Sequence, residues 1–261
     1  MVSFEYMDYY GMQDLLRIMQ LLRAPEGCAW DQAQTHQSIR RNMLEEAYEV
    51  AEAIDEDDPT HLREELGDVL LQVVFHACMA QEVGRFCFDD VVDGVCKKLI
   101  FRHPHVFGSA DAQDSAAALS AWEAQKRREK GQQTAGDSLD AVARSLPALM
   151  RAEKIQDKAK KAGFDWKSID PVLDKLSEEV LELKQAVYQN GNVEEELGDL
   201  LFAAVKTGRF LGLDSELVLH AACEKFIRRF RAVESLANGP LDALDIAALE
   251  GLWRRAKEQT P

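Results

Sequence analysis

This sequence has little positive charge and no long apolar run, and both absences exclude classes of partner. Its 31 lysines and arginines are outnumbered by 46 aspartates and glutamates, which gives a formal net charge of −15. Nucleic-acid polymers and anionic membrane surfaces are held by dense lysine and arginine, so we expect neither as a partner. No stretch approaches the roughly 18 apolar residues that cross a bilayer. A phosphorylated small molecule is compatible with this negative charge as a ligand, because an acidic site can hold phosphate through a divalent metal ion.

Several nucleotide-binding and cysteine motifs are also missing. There is no G-x-x-x-x-G-K-[ST] loop and no strand-led G-x-G-x-x-G, which argues against P-loop and Rossmann enzymes. The five cysteines lack C-x-x-C spacing, so we interpret them as reduced thiols rather than a zinc site or a disulfide framework. The first residues, MVSFEYMDYYGM, contain acidic side chains and no basic-then-apolar signal pattern. We therefore expect a cytoplasmic protein.

Helical periodicity runs through nearly the whole chain, and no segment alternates at period two for long enough to predict a strand. The apolar pattern predicts helices at 11–23, 37–56, 61–84, 88–101, 143–161, 170–189, 192–212, 214–237 and 243–257. Between the two sets lies a small, polar stretch with a helical part around 116–130 and too few apolar positions for a core. These features predict an all-α fold of two similar helical-bundle domains, with an N-terminal domain at 1–110, a partly helical linker at 111–140 and a C-terminal domain at 141–261.

The second set of helices repeats the first in sequence. EELGDVLLQVVF at 64–75 matches EELGDLLFAAVK at 195–206, and LEEAYEVAEAI at 44–54 matches SEEVLELKQAV at 177–187. Two copies in the same order and at nearly the same spacing indicate an internal duplication.

Each copy carries a paired carboxylate motif, E-E-x-x-E followed by E-x-x-D. Residues three apart share a helix face, and the helical arcs place Glu46, Glu65, Glu179 and Glu196 beside core positions. Unpaired carboxylates next to a core are costly, and two antiparallel helices would bring four of them together. Nearby basic residues are too few to neutralise them. A divalent cation with oxygen ligands is therefore predicted, and Mg²⁺ fits because it keeps places for water and phosphate.

At these residues the chain resembles the MazG family of all-α nucleoside triphosphate pyrophosphohydrolases, over nearly its full length. The resemblance rests on the paired motif in both halves and is supported by the segments GCAWD at 27–31, RHPHVFG at 102–108, SLPALMRA at 145–152 and GFDW at 163–166. It implies Mg²⁺-dependent hydrolysis of ribo- and deoxyribonucleoside triphosphates, including non-standard ones, to the monophosphate and pyrophosphate, with Mn²⁺ able to substitute. It also implies a homodimer in which helices of two chains complete each site.

The resemblance assigns metal-ligand positions in both halves. They are Glu179, Glu182, Glu196 and Asp199, with first-half counterparts Glu46, Glu49, Glu65 and Asp68. It also implies that the second half carries the hydrolysis, while the first half is weakly active or structural. Glu178, next to a ligand position as Glu45 is in the first half, is a candidate for orienting or deprotonating the attacking water. An outer-shell or surface glutamate is an equally supported interpretation of Glu178.

Basic and aromatic residues around the second motif are candidates for binding the substrate. Lys225, Arg228 and Arg229 place three cations in one short helical stretch, and arginine suits phosphate through bidentate hydrogen bonds. Lys175, one turn before the second E-E pair, is a further phosphate candidate, and Trp253 is a candidate for stacking on a base. A solvated surface stripe and a core aromatic position are the respective alternatives.

The two halves differ at one basic position. Residues 98–102 align with 225–229, and Phe101 stands where the second half has Arg228. The loss of one phosphate-binding cation agrees with a weaker or silent first site.

The acidic motif has three other interpretations. A single E-x-x-E is common on solvated helix faces, but its repetition at matching arcs argues against a plain charged surface. A di-iron carboxylate bundle needs Glu-x-x-His twice, and the corresponding positions hold Asp68 and Asp199. A nucleotide-binding regulatory protein with little turnover is the remaining alternative. It predicts nucleotide binding without pyrophosphate release.

Overall fold

The computed structural model describes residues 4–109, 114–237 and 239–260, and these residues form helices and connecting turns with no strand among them. The helices are α1 Met12–Arg23, α2 Ala29–Ala33, α3 Arg40–Asp55, α4 Pro59–Glu82, α5 Phe88–Arg102, α6 Pro104–Phe107, α7 Ser115–Glu129, α8 Ala135–Asp140, α9 Ala148–Lys161, α10 Asp170–Gln189, α11 Val193–Phe210, α12 Ser215–Leu236 and α13 Ile246–Gln259, with a 3₁₀ turn at Leu241–Ala243. The chain divides into two compact units, Met1–Lys126 and Arg127–Pro261. The predicted all-α fold with two helical units is confirmed.

The helix boundaries differ from the predicted ones where a local signal overrides the apolar pattern. Helix α9 begins at Ala148, five residues after its predicted start, because Pro147 adopts an extended backbone (ψ 143°) and precedes the first helical residue. The short helices α2, α6 and α8 were not predicted, since four to six residues are too few to show a period. The expected helical stretch around 116–130 appears as α7.

Helix α4 supplies most of the core of the first unit. Its C-terminal half buries Val74, Phe75 and Met79, which cluster with Met19 of α1 and with Ile39. Helices α3 and α5 also pack against α4. The apolar half of α4 therefore fixes the position of its N-terminal half, which carries the acidic motif.

Both acidic motifs lie on helix hairpins whose turns have the same length and contain a left-handed residue. After α3 the chain turns through Asp57 (φ 54°), and after α10 it turns through Asn190 (φ 55°), both in the left-handed region. Asp58 then caps α4 by accepting from the backbone N–H of Thr60 at 2.8 Å, and Asn192 caps α11. Each turn is three residues long, so α3 packs against α4 and α10 against α11 as hairpins. The internal duplication thus extends to the length of the turns, while the left-handed residue is the second of three in the first turn and the first of three in the second.

In the second unit, α9 lies against α11 and α12. The Gln156 side chain, 3% exposed, donates to the backbone carbonyl of Phe202 at 2.8 Å and so ties α9 to α11. Val172 of α10 and Val205 of α11 are fully buried. These contacts hold the α10–α11 hairpin in place. In the described part of the chain, no helix has the length and apolar character needed to cross a membrane.

Candidate metal centre and active site

The α10–α11 hairpin brings three of the four predicted second-half ligands together. Glu179 of α10 is 5% exposed, Glu196 of α11 is half-buried and Asp199 of α11 is exposed. One carboxylate oxygen from each of these residues lies within 4.8 Å of the others. We call this group the second cluster. Its most buried member, Glu179, is the carboxylate with the greatest need for a compensating cation.

Glu182, the fourth predicted ligand, lies at the edge of the second cluster. Burial raises the pKa of its carboxyl group, the attraction of Lys175 opposes this rise, and the charges of Glu179 and Glu178 add to it. Its Oε2 is 3.9 Å from Lys175 Nζ. Glu182 therefore shares the electrostatic environment of the cluster.

The ammonium group of Lys175 contacts two carboxylates of its own helix, α10. Its Nζ is 2.7 Å from Glu178 Oε1 and 2.8 Å from Glu179 Oε1. Hydrogen bonds to these two glutamates raise the pKa of Lys175. From the sequence, Lys175 was a candidate for phosphate. In this structure it neutralises the acidic residues, and Glu178, with its side chain 56% exposed, is one of its partners.

The α3–α4 hairpin forms a corresponding group, the first cluster, from Glu46, Glu49 and Glu65. Glu65 is 9% exposed. Burial raises the pKa of Glu46, and a hydrogen bond with Glu49 and the nearby charge of Asp68 raise it further. Burial and the charge of Glu49 raise the pKa of Glu65 in the same way. Repulsion among these carboxylates thus adds to the effect of burial, and the nearby His61 opposes the rise in the pKa of Glu65.

His61 is the basic neighbour of the first cluster, and we did not identify it from the sequence. Its Nε2 lies 3.3 Å from Glu65 Oε1, and its Nδ1 lies 3.3 Å from Glu56 Oε2. The signal that identifies it is the i,i+4 spacing of His61 and Glu65 on one helix face.

The two clusters contain different members of the same motif because the hairpins differ in register. Glu65 is the seventh residue of α4, whereas Glu196 is the fourth residue of α11. Three residues correspond to about 4.5 Å along a helix axis. The E-x-x-D pair thus lies almost one turn closer to the hairpin turn in the second unit, where both of its members join the cluster.

The donor set of the second cluster fits a hard divalent cation. An octahedral ion with ligands at about 2.1 Å places them about 3 to 4 Å apart, which matches oxygens that lie within 4.8 Å of one another. All the donors are carboxylate oxygens, the ligands that Mg²⁺ and Mn²⁺ prefer. The oxygens of Glu179, Glu196 and Asp199 are therefore suited to hold such an ion.

The predicted substrate-binding residues lie on α12 and α13. Lys225 and Arg228 are exposed, while Arg229 donates from Nε to the Thr260 carbonyl at 3.3 Å and so joins the two helices. Trp253 packs on Phe226, with ring centroids 5.2 Å apart. In the first unit, Phe101 is 48% exposed at the position aligned with Arg228.

An ion-pair group that the sequence did not reveal fixes the segment before α10. Asp165 Oδ1 lies 2.6 Å from Lys206 Nζ, and its Oδ2 accepts from Arg209 Nη2 at 2.7 Å. Burial raises the pKa of Asp165, but the hydrogen bonds from Lys206 and Arg209 outweigh it and lower the pKa to about 2. The i,i+3 spacing of Lys206 and Arg209 on α11 was the available signal.

Comparison with known proteins places both clusters within one type of domain. The model of the MazG nucleotide pyrophosphohydrolase domain matches residues 34–107 and 167–233, more than half of the chain. The chain belongs to the MazG family. Each matched segment contains one carboxylate cluster, so the tandem arrangement of MazG domains and the duplicated hairpins describe the same repeat.

Relatives of this MazG-family chain are similar over nearly its whole length. A nucleoside triphosphate pyrophosphohydrolase of Escherichia coli K12 is 48% identical over 253 residues, which cover 94% of this chain and 96% of the relative. The nucleoside triphosphate pyrophosphohydrolase/pyrophosphatase MazG of Thermotoga maritima is 44% identical over 248 residues, with 94% and 95% covered. The uncharacterized protein YabN of Bacillus subtilis is 42% identical over 96% of this chain but only 52% of its own length.

Proposed function

We propose that this MazG-family chain is a Mg²⁺-dependent nucleoside triphosphate pyrophosphohydrolase that turns over at its second cluster. It hydrolyses ribo- and deoxyribonucleoside triphosphates, non-standard ones included, to the monophosphate and pyrophosphate. The observation that carries this proposal is the buried Glu179 carboxylate, grouped with Glu196 and Asp199 in a segment that matches the family's domain.

In this proposal Glu179, Glu182, Glu196 and Asp199 hold the metal ion, and Mn²⁺ can replace Mg²⁺ because the donors are all carboxylate oxygens. When bound, the ion neutralises phosphate oxygens and lowers the pKa of a coordinated water. Glu178 lies beside these ligands on α10 and orients or deprotonates the attacking water. Water adds to the phosphate chain, and the bond between the α- and β-phosphates breaks.

The substrate is held by residues outside the clusters. Lys225, Arg228 and Arg229 share one face of α12 by their i,i+3 and i,i+4 spacing and present cations to the phosphate oxygens. Lys175 adds a further ammonium group. Trp253 offers its ring to the base, in the position fixed by its packing against Phe226.

The first cluster is the weaker or silent one. It keeps the acidic set, but Phe101 replaces the cation of Arg228. Arg102, the partner of Arg229 in the repeat, is 8% exposed, with its guanidinium 5.3 Å from the centroid of the Trp122 ring. In this proposal Arg102 therefore packs on Trp122 in a structural role and does not bind phosphate.

The active form in this proposal is a homodimer in the cytoplasm. Apolar side chains stand exposed in stripes, including Val91, Val95 and Leu99 on α5 at i, i+4 and i+8. A second copy of the chain would bury such faces. The five free cysteines suit a reducing compartment. Light scattering of the purified protein is expected to give twice the chain mass of 29.3 kDa, and cell fractionation tests the location.

Pyrophosphate release from a panel of nucleoside triphosphates tests the activity. With Mg²⁺ or Mn²⁺ we expect equal amounts of monophosphate and pyrophosphate, and with EDTA neither. Release of inorganic phosphate together with the nucleoside diphosphate would contradict the proposal. Nucleotide binding without any product would also contradict it. The second outcome would favour a regulatory nucleotide-binding protein.

A further inference from the structure

We infer that Lys175 is a tethered counter-ion of the second cluster, which holds the cation position in the metal-free protein and is displaced when a divalent ion binds. This inference rests on the proposed function, because it describes how the same site exchanges one cation for another. Its starting point is the distance of 2.8 Å between Lys175 Nζ and the carboxylate of Glu179, the most buried member of the cluster.

The position of the ammonium group favours this role over a surface ion pair. Lys175 reaches three carboxylates of α10 at once, at 2.7 Å for Glu178, 2.8 Å for Glu179 and 3.9 Å for Glu182. Two of these, Glu179 and Glu182, belong to the predicted ligand set. A divalent ion bound by Glu179 and Glu182 competes with the ammonium group for their negative charge, and the two cations repel each other. We therefore expect metal binding to break the Lys175–Glu179 pair.

The first cluster provides a comparison within the same chain. In the aligned helices, residue 42 corresponds to Lys175, and it is Asn42. The nearest arginine on that helix, Arg41, pairs with Glu45 at 2.6 Å, which is outside the cluster. At the position of Lys175 the first cluster thus has no lysine to displace, and its basic neighbour is His61, 3.3 Å from Glu65.

Displacement also gives Lys175 a second task. Once the divalent ion has taken the carboxylates, the ammonium group is released beside the metal, where the phosphate chain of a nucleotide would lie. The metal-free site then lacks an available Lys175, and the metal-loaded site presents it to phosphate. Loss of this lysine therefore tightens metal binding and weakens nucleotide binding.

Mn²⁺ binding measured by electron paramagnetic resonance, without nucleotide, tests the inference. The full chain is used with its first cluster disabled by Glu49→Gln and Glu65→Gln, so that the second cluster is observed alone. We expect Lys175→Met to lower the Kd for Mn²⁺ about threefold to tenfold, as expected for a partly exposed pair that involves several carboxylates. Lys175→Arg keeps the charge and should stay near the parent value.

The reciprocal variant is a matched control. With the second cluster disabled by Glu179→Gln and Glu196→Gln, Asn42→Lys installs the missing lysine in the first cluster and should raise its Kd for Mn²⁺ by a similar factor. Unchanged or weaker Mn²⁺ binding in Lys175→Met would overturn the inference. If Lys175→Met does not fold, as judged by circular dichroism, Lys175→Gln and Asn42→Lys carry the same test.

Nucleotide binding separates this inference from a simple phosphate contact and from the proposed function itself. Lys175→Met should weaken binding of an α,β-methylene nucleoside triphosphate in saturating Mn²⁺. The same variant should tighten the binding of Mn²⁺ when no nucleotide is present. A phosphate contact alone predicts the first effect without the second and would overturn the inference. If Lys175→Met lowers the Kd for Mn²⁺ but wild type releases no pyrophosphate, the counter-ion role of Lys175 stands and the proposed function is contradicted. If wild type releases pyrophosphate but Lys175→Met leaves the Kd for Mn²⁺ unchanged, the proposed function stands and the counter-ion role is contradicted.

Discussion

Arg209 of α11 donates to Asp165 at 2.7 Å, across 44 residues of sequence, and both side chains are almost fully buried. The pair joins the segment before α10 to the helix that carries Glu196 and Asp199. Lys206 completes the group at 2.6 Å from Asp165. The relative position of α10 and α11, on which the second cluster depends, is thus secured by a buried charge group as well as by apolar packing.

Asp165→Asn should destabilise the second unit by about 3 kcal/mol, because it leaves two buried cations without their carboxylate. Urea unfolding followed by circular dichroism measures the loss. Asp157→Asn is the control, since Asp157 is 3.6 Å from Arg209 with its side chain 48% exposed, and we expect it to cost less than about 1 kcal/mol. Equal losses in the two variants would show that the buried pair contributes nothing of its own.

Acid should remove the contribution of Asp165 in a defined pH window. Its folded-state pKa of about 2 lies below the ordinary value of 3.8, so the stabilisation is present above about pH 4 and is lost as the pH falls towards 2. The difference corresponds to about 2 kcal/mol. The gap in unfolding free energy between wild type and Asp165→Asn should therefore narrow across this window. A gap that stays constant from pH 5 to about pH 2 would contradict the assignment.

Glu65→Gln should raise the melting temperature of the metal-free protein and reduce the further increase caused by Mg²⁺. The carboxyl group of Glu65 has a raised pKa, caused first by burial and then by Glu49, so its ionised form destabilises the metal-free fold at neutral pH. This destabilisation sets in as the pH rises above the ordinary value of 4.5, so the advantage of glutamine should vanish in more acidic solution. Calorimetry in EDTA and in Mg²⁺ measures both effects.

The neighbouring Glu64→Gln is the control for Glu65, because Glu64 is exposed on the same helix. It should leave both melting temperatures nearly unchanged. A metal-free protein that is weakened by Glu65→Gln would show that the carboxylate contributes to stability rather than to ion binding.

Gly27→Ala should destabilise the first unit by about 2 to 4 kcal/mol. A Cβ at this position would lie 2.3 Å from the carbonyl oxygens of Leu21 and Leu22, which belong to the backbone and cannot move independently. Gly94→Ala is the control, since nothing lies within 4 Å of its Cβ and alanine favours the helix by up to about 1 kcal/mol. Guanidinium unfolding distinguishes the two, and a neutral Gly27→Ala would contradict the close approach.

The sequence predicts the hairpins and their acidic faces because helical periodicity determines which residues share a face. It places Glu179 and Glu65 beside the core, and both are buried in the structure. Periodicity does not determine which charges pair when several lie on one face, so Lys175 was expected at phosphate and is found on Glu179. The difference in hairpin register, which brings Asp199 into one cluster and leaves Asp68 outside the other, depends on where each helix begins.

The ion pair between the distant segments of Asp165 and Arg209 could not be predicted from the sequence for a different reason. Asp165 meets Arg209 only after α10 and α11 have folded back on each other. The i,i+3 spacing of Lys206 and Arg209 shows that the two cations share a helix face, but it does not show which carboxylate they meet. The segment GFDW supported the family resemblance, but nothing in its own residues indicated an ion pair.

Pyrophosphate release by Glu179→Ala and Glu46→Ala, measured with saturating Mg²⁺ against wild type, tests whether catalysis takes place at the second cluster. The two glutamates hold equivalent positions in the repeat, so the comparison isolates the cluster rather than the type of residue. We expect Glu179→Ala to lower kcat by about 100-fold or more, because it removes the most buried carboxylate of the site. Glu46→Ala should retain most of the wild-type rate. Equal losses in both variants, or loss only in Glu46→Ala, would contradict catalysis at the second cluster alone.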